Sequence, residues 1–191
     1  MEITKLTDYI VLIDNMLIQE KSDQFENVIE SNLFNFQKAK ISIRQSNIVD
    51  ETIRKTETCG LSNYYGTCTS IHWCNFMLTN LNRAANNYCS ITNTNIRSNL
   101  KEMQLLKYEK NGFYKTHIDH AAATPRTLSM VYFINDNYED GNLFFNLPKN
   151  EEFKIEKKKN RCVIWPSNFL YPHRVEPVKT GTKYSLVAWT L

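Results

Sequence analysis

The sequence predicts a mainly β fold, an antiparallel barrel or sandwich preceded by helices, and three observations carry that expectation. From Met103 onward the chain breaks into short β-like runs. Turn residues separate those runs at short intervals. The first half instead places apolar residues at helical spacing.

The β-like runs are Met103–Tyr108, Leu128–Ile134, Asn142–Asn146, Glu152–Ile155, Arg161–Trp165, His173–Val175 and Lys183–Thr190. Turns are marked by Asn111-Gly112, Asp140-Gly141, Pro148–Asn150 and Thr180-Gly181, where Asn, Asp and Gly tolerate the backbone angles a reversal needs. Many short strands joined this way fit a closed or double-layered antiparallel architecture. In the first half, Tyr9–Ile13 reads as a short strand. A helix is expected from about Ser22 to Phe34, with Phe25, Val28, Ile29 and Leu33 on one face and Ser22 as N-cap. The clearest helix is Ile71–Tyr88, whose Trp73, Phe76, Met77, Leu81, Ala84, Ala85 and Tyr88 form a broad apolar stripe of the kind that packs on a core. Ser46–Thr69, polar and with two glycines, reads as loop-rich, and Lys157–Lys159 as a solvated hairpin tip.

A length of 191 residues suits one domain, with 1–100 as a helical and strand buttress and 101–191 as the β core. The aromatic content of 12% argues against disorder, and a net charge of +3 is too small to argue for a nucleic-acid or membrane surface. Met1–Asp8 is polar and Tyr9–Ile13 is too short for a signal peptide. No apolar run approaches the roughly 20 residues that cross a bilayer, so a cytoplasmic or otherwise intracellular setting is expected. Five cysteines form no CxxC pair and read as free, mostly buried thiols. A zinc site from Cys59, Cys68, Cys74 and His72 fits no common spacing.

Chemistry concentrates in the second half. On a strand, residues i and i+2 share a face, so His117 and Asp119 would present an imidazole and a carboxylate together. His173 follows 56 residues later at the start of another run. Two histidines and one carboxylate are the ligand set of the facial triad, which leaves metal positions open for oxygen chemistry. His-x-Asp alone is a weak pattern. Context adds to it, because alternation puts Lys183 on one strand face with Ser185, Val187 and Trp189. An ammonium on such a face either snorkels to water or meets an anion. No acidic residue near it in sequence is an obvious partner, which favours a bound dicarboxylate.

Four segments resemble the prolyl 4-hydroxylase type of 2-oxoglutarate- and Fe(II)-dependent dioxygenase. Tyr108 to Asp119 is similar to the stretch leading into that family's first iron ligands, and Arg126 to Asn135 to its next strand. Asp140 to Phe145 resembles its Gly-Gly-Glu-x-x-Phe turn, and His173 through Lys183 to Trp189 its closing motif. Together they span roughly Leu105–Leu191. The resemblance implies a double-stranded β-helix (a jelly-roll, cupin-like barrel) with N-terminal flanking helices. It implies Fe(II) held by His117, Asp119 and His173, and 2-oxoglutarate held by Lys183 with a hydrogen bond from Tyr108. O2 is the other cosubstrate, with ascorbate as a reductant. It implies hydroxylation of a C–H bond, C4 of a prolyl residue in a protein or peptide, with a free amino acid or another side chain as the alternative. A catalytically silent jelly roll that binds a ligand is the reading from another class. Arg126 and Tyr132 are the candidate substrate contacts. The sequence departs from the family at Asp140-Gly141, where paired glycines are usual, at Asn142, an acidic position, and at Gly112, displaced by one.

Simpler roles are expected elsewhere. His120 reads as a loop residue, His72 as a cap or surface group, Arg174 as pointing out of the barrel, and Trp165, Phe145 and Trp189 as core.

Overall fold

Seventeen strands and two helices follow one another along the chain of this computed structural model, which describes residues 1–43, 46–62, 65–96, 99–148 and 151–191. β1 (Glu2–Lys5) and β2 (Val11–Asp14) lead into α1 (Gln19–Glu30). Five short strands follow: β3 (Gln37–Lys38), β4 (Ile41–Ile43), β5 (Ser46–Ile48), β6 (Arg54–Lys55) and β7 (Glu57–Gly60). After α2 (Cys68–Thr92) come β8 (Leu100–Tyr108), β9 (Phe113–His117), β10 (Leu128–Phe133), β11 (Glu139–Asp140), β12 (Leu143–Leu147) and β13 (Glu151–Ile155). The chain ends with β14 (Cys162–Pro166), β15 (His173–Val175), β16 (Val178–Thr180) and β17 (Lys183–Thr190).

Two antiparallel sheets make the jelly roll. The larger runs β1-β2-β14-β10-β17-β8-β7-β3 and the smaller β13-β12-β15-β9-β6, with β11-β16 and β4-β5 as separate pairs. The two faces of the larger sheet serve different layers. Leu128, Met130 and Tyr132 of β10, with Leu186 and Ala188 of β17, join one apolar cluster with Phe25, Trp73, Met77, Leu81 and Tyr88 of the helices. Phe133, Val163 and Trp165 point the other way and meet Leu143, Phe145 and Ile155 of the smaller sheet. Phe145 and Trp165 touch edge to face at 5.0 Å between centroids.

The expected strands all form, with shifts of up to three residues at their ends. The helices differ more. α2 begins at Cys68, where Thr67 caps by accepting from the Ser70 amide, and ends at Asn93, whose φ of 52° is left-handed. α1 begins one turn earlier than expected, after Ile18, and Ser22 is not its cap. Ser22 is buried instead, its hydroxyl 3.1 Å from that of Tyr132. Asn32, at φ 60°, stops the helix short of Leu33 and Phe34.

Ser46–Thr69 also departs from the loop expectation. It contains β5, β6 and β7, and β7 pairs with β8 while β6 pairs with β9. These strands exist because long-range partners satisfy their backbone, a signal no local pattern carries. Lys157–Lys159 is tied down rather than solvated. Lys158 reaches Asp14 at 2.8 Å, Lys159 reaches Asp23 and Glu26, and Lys157 bonds the Tyr138 carbonyl. Of the expected turn at Pro148–Asn150, Lys149 and Asn150 lie outside the described residues. All five cysteines are free, with Cys59, Cys74 and Cys162 buried.

Candidate metal centre and cosubstrate pocket

Strand pairing builds the centre. β15 pairs with β9 so that His173 stands directly opposite His117, and cross-strand neighbours on one face bring their side chains together. Their ring centroids are 4.3 Å apart. Asp119 arrives differently from the expectation. β9 ends at His117, so Asp119 lies past the strand in a bend rather than at i+2 on it. A buried hydroxyl orients it there: Ser129 donates to Asp119 Oδ2 at 2.6 Å and lies 2.7 Å from Ser167 Oγ. Sequence reasoning missed Ser129. The available signal was a lone serine in the apolar run of β10, on the face shared with Val131 and Phe133.

The three side chains converge. Asp119 Oδ1 lies 3.6 Å from His117 Nε2, and Oδ2 lies 3.5 Å from His173 Nε2. One donor atom from each falls within 4.8 Å of the others, and among the described residues no other group of His, Cys, Asp or Glu does so. His72, Cys59, Cys68 and Cys74 therefore form no such group. Each histidine has its Nδ1 against a backbone carbonyl, Lys115 at 2.9 Å for His117 and Tyr171 at 3.1 Å for His173. A carbonyl only accepts, so Nδ1 carries the proton and Nε2 offers a lone pair toward the centre. Burial, reinforced by His117, pushes the His173 pKa down to about 4, so His173 is neutral and able to ligate. Burial alone would disfavour the charged Asp119, but His173, His117 and the Ser129 hydroxyl outweigh it and hold the carboxyl well below its usual range. Two imidazoles with Nε2 turned inward and one carboxylate, oriented from behind and open in front, fit a divalent iron site.

Aromatic rings fix the histidines. Tyr114 stacks on His117 at 3.6 Å between centroids with 20° between planes. Trp165 meets His173 edge to face at 4.9 Å. In front lies a cavity of about 890 Å³, reached by His117, Asp119, His173, Leu106, Val187 and Trp189.

Lys183 occupies the same face of β17 as Val187 and Trp189, as alternation predicts. It is 1% exposed. Its Nζ donates to the Gly141 carbonyl at 2.7 Å and faces the rings of Tyr108 and Phe133 at 5.2 and 5.5 Å. No carboxylate forms an ion pair with it among the described residues. Burial pushes its pKa down to about 7 against the opposing pull of Glu176, a group the sequence did not reveal as a neighbour. Glu176 accepts instead from the amide and side chain of Asn142. Gly141, at φ 66°, is packed so closely that a Cβ would lie 2.8 Å from Val178 and 3.5 Å from Lys183 Cδ. Tyr108 lies opposite Lys183 in the β8–β17 register, and burial pushes its hydroxyl up to about 12, leaving it a neutral donor.

The two candidate substrate contacts part company. Arg126 lines the cavity, with its guanidinium 3.7 Å from the Trp189 centroid and Nε 3.0 Å from Glu102. Tyr132 does not line it. It sits on the helix-facing side of β10, 0% exposed, with its hydroxyl bonded to Ser22 and Asn160. The even alternation of β10 decides this, since the odd-numbered residues face the cavity side. Arg174 points outward onto Phe144 and Glu152, and His120 is exposed, with Nδ1 on the Arg126 carbonyl. Trp189 is buried as expected but also forms cavity wall.

Known proteins match this arrangement. Residues 103–191 match the model of the 2OG-Fe(II) oxygenase superfamily. A PKHD-type hydroxylase of Crocosphaera subtropica is 31% identical over 98 residues, 47% of this chain and 42% of that protein, so less than half of the relative's length is matched. Among solved structures, a Trichoplax adhaerens prolyl hydroxylase in complex with a hypoxia inducible factor peptide fragment superposes with a TM-score of 0.76 at 19% identity, over 97% of this chain and 84% of that one. The viral collagen prolyl hydroxylase of Paramecium Bursaria Chlorella virus-1, solved with 2OG, gives 0.62 at 19% identity, over 95% and 94%. At such identities these likenesses show the fold. The family match falls on residues 103–191, the stretch that carries the triad and Lys183.

Proposed function

We propose that the protein is a 2-oxoglutarate- and Fe(II)-dependent dioxygenase that hydroxylates a C–H bond, with C4 of a prolyl residue in a peptide or protein as its target. The observation that carries this reading is the convergence of His117, Asp119 and His173 within 4.8 Å at the floor of an open cavity. Bound iron and 2-oxoglutarate would supply the oxidising power, through decarboxylation of the cosubstrate coupled to reduction of O2. The chain's own part is to bind and orient. His117, Asp119 and His173 hold the metal from one side, and Ser129 and the two backbone carbonyls hold the ligands. Lys183, unpaired with any carboxylate among the described residues, would meet the distal carboxylate of 2-oxoglutarate, and Tyr108 would add a neutral hydrogen bond. A lysine here acts as a point charge where arginine would grip bidentately. Trp165, Phe145 and Leu106 exclude water behind and beside the centre.

The peptide target is supported by the prolyl hydroxylase neighbours, one of them solved with a peptide fragment. The whole of residues 1–191 works as one unit in this reading, since β6 and β7 from the first half complete both sheets. Free cysteines support an intracellular setting, and no described helix is long and apolar enough to cross a membrane. Succinate release from 2-oxoglutarate with Fe(II) and ascorbate, together with a one-oxygen mass gain on proline-containing peptides, tests the proposal. Absence of iron-dependent succinate would overturn the enzyme reading. Succinate without a modified proline would move the target to another side chain or a free amino acid.

A further inference from the structure

Among the described residues, four basic side chains line the cavity: Lys38, Lys40, Arg54 and Arg126. Two of them are already neutralised. Lys38 lies 2.7 Å from Glu51, and Arg126 is clasped by Glu102. Arg54 is not. No described carboxylate lies within ion-pair distance of it, and its buried Nε has no hydrogen-bond partner. A buried guanidinium N–H without an acceptor is rare in folded proteins, because its lost hydration is not replaced.

The position of this orphan donor is fixed. Arg54 lies opposite Tyr114 in the β6–β9 register, and its guanidinium carbon sits 4.6 Å from the Tyr114 ring centroid. Tyr114 in turn stacks on the metal ligand His117. Arg54, Tyr114 and His117 are therefore in successive contact from the cavity wall to the metal centre. A planar guanidinium held against a ring keeps its outer fork free for a carboxylate, which it matches with two parallel hydrogen bonds. Lys40, exposed at the rim, adds a second cation without a described carboxylate partner.

We propose that Arg54 anchors the substrate by pairing with a substrate carboxylate, an acidic side chain next to the residue presented to His117, Asp119 and His173. This inference rests on the dioxygenase reading of the site. It also shifts the substrate-recognising role from Arg126, whose charge Glu102 satisfies, to a residue outside the segment matched by the family model.

The experiment uses proline-centred fluorescent peptides carrying Asp or Glu at flanking positions, with Asn and Gln versions as controls. They are titrated under nitrogen into the full chain loaded with Mn(II) and 2-oxoglutarate, as wild type, Arg54→Gln and Arg54→Lys. Binding of 2-oxoglutarate itself is measured separately by calorimetry. Wild type should bind an acidic peptide roughly 10–100-fold more tightly than its amide twin, the range for a charge-assisted pair. That preference should vanish in Arg54→Gln and persist, weakened, in Arg54→Lys. No preference in wild type, or one that survives Arg54→Gln, would overturn the inference. A tenfold loss of 2-oxoglutarate affinity in Arg54→Gln would overturn it too, by making Arg54 a cosubstrate residue. Failure of wild type to bind 2-oxoglutarate would instead sink the site reading, and the inference with it.

Discussion

The two faces of β10 and β17 do opposite work. Toward the helices stand Leu128, Met130, Tyr132, Leu186 and Ala188, all fully buried. Their one polar atom, the Tyr132 hydroxyl, is satisfied by Ser22 and Asn160. Toward the cavity the same strands present Ser129, Lys183 and Ser185 among Val131, Phe133, Val187 and Trp189. The first face gains stability by removing apolar surface from water. The second gives some of that up, since it buries an ammonium with one carbonyl for a partner. Stability and chemistry are thus separated by the two-residue period of a strand, and substitutions on alternate residues should have different consequences.

The largest effect is expected on the helix face. Leu186→Ala opens a void in the apolar cluster and should cost about 2–5 kcal/mol in urea unfolding, with metal and 2-oxoglutarate affinity unchanged in the folded fraction. Loss of affinity alongside stability would mean that the two faces are coupled.

Lys183→Met should behave in the opposite way. It removes the group proposed to meet the cosubstrate, so 2-oxoglutarate affinity should fall about 100-fold in calorimetry, the weight of a charge-assisted contact in a buried site. Stability should stay level or rise by about 1–3 kcal/mol, as when a poorly compensated buried charge is replaced by an apolar side chain of similar size. pH separates the variants further. The folded pKa of Lys183 is lowered to about 7 from 10.5, so between those values the unfolded chain binds more protons. The ligand-free protein should therefore gain stability from this group as pH rises from about 7 toward 10.5, a slope absent in Lys183→Met. A slope of equal size in both would remove Lys183 as its source.

Ser129→Ala should give the smallest effect. Asp119 loses the hydroxyl that orients Oδ2, and metal affinity should fall about 10-fold, the low end for a residue supporting a metal ligand. Unfolding free energy should fall by about 1–2 kcal/mol, because the buried Asp119 carboxylate loses a donor. Unchanged metal affinity would show that the Asp119 bend is set by the backbone alone.

Much of this was legible in the sequence, for a physical reason in each case. The strands from Met103 onward are short and bounded by residues that favour turns, so their limits follow from local chemistry. His173 and Lys183 sit at strand starts, and alternation correctly put Lys183 with Val187 and Trp189. Tyr132 was not legible in the same way. β10 is buried on both faces, so its run of apolar residues shows no alternation from which to read a direction. Asp119 was grouped correctly with His117 but for the wrong geometric reason, since a bend and Ser129 bring it in. Arg54, Glu102 and Glu176 lay beyond reach because their roles arise from pairings across tens of residues. The short strands β6 and β7 exist through those same pairings.

The central claim is that His117, Asp119 and His173 form one metal site, and a single titration tests it most directly. Metal-free wild type and Asp119→Ala are each titrated with Mn(II) in the presence of 2-oxoglutarate, with bound metal read by electron paramagnetic resonance. One tightly bound ion per chain in wild type and none in Asp119→Ala is the result predicted. Equal binding by both proteins would contradict it.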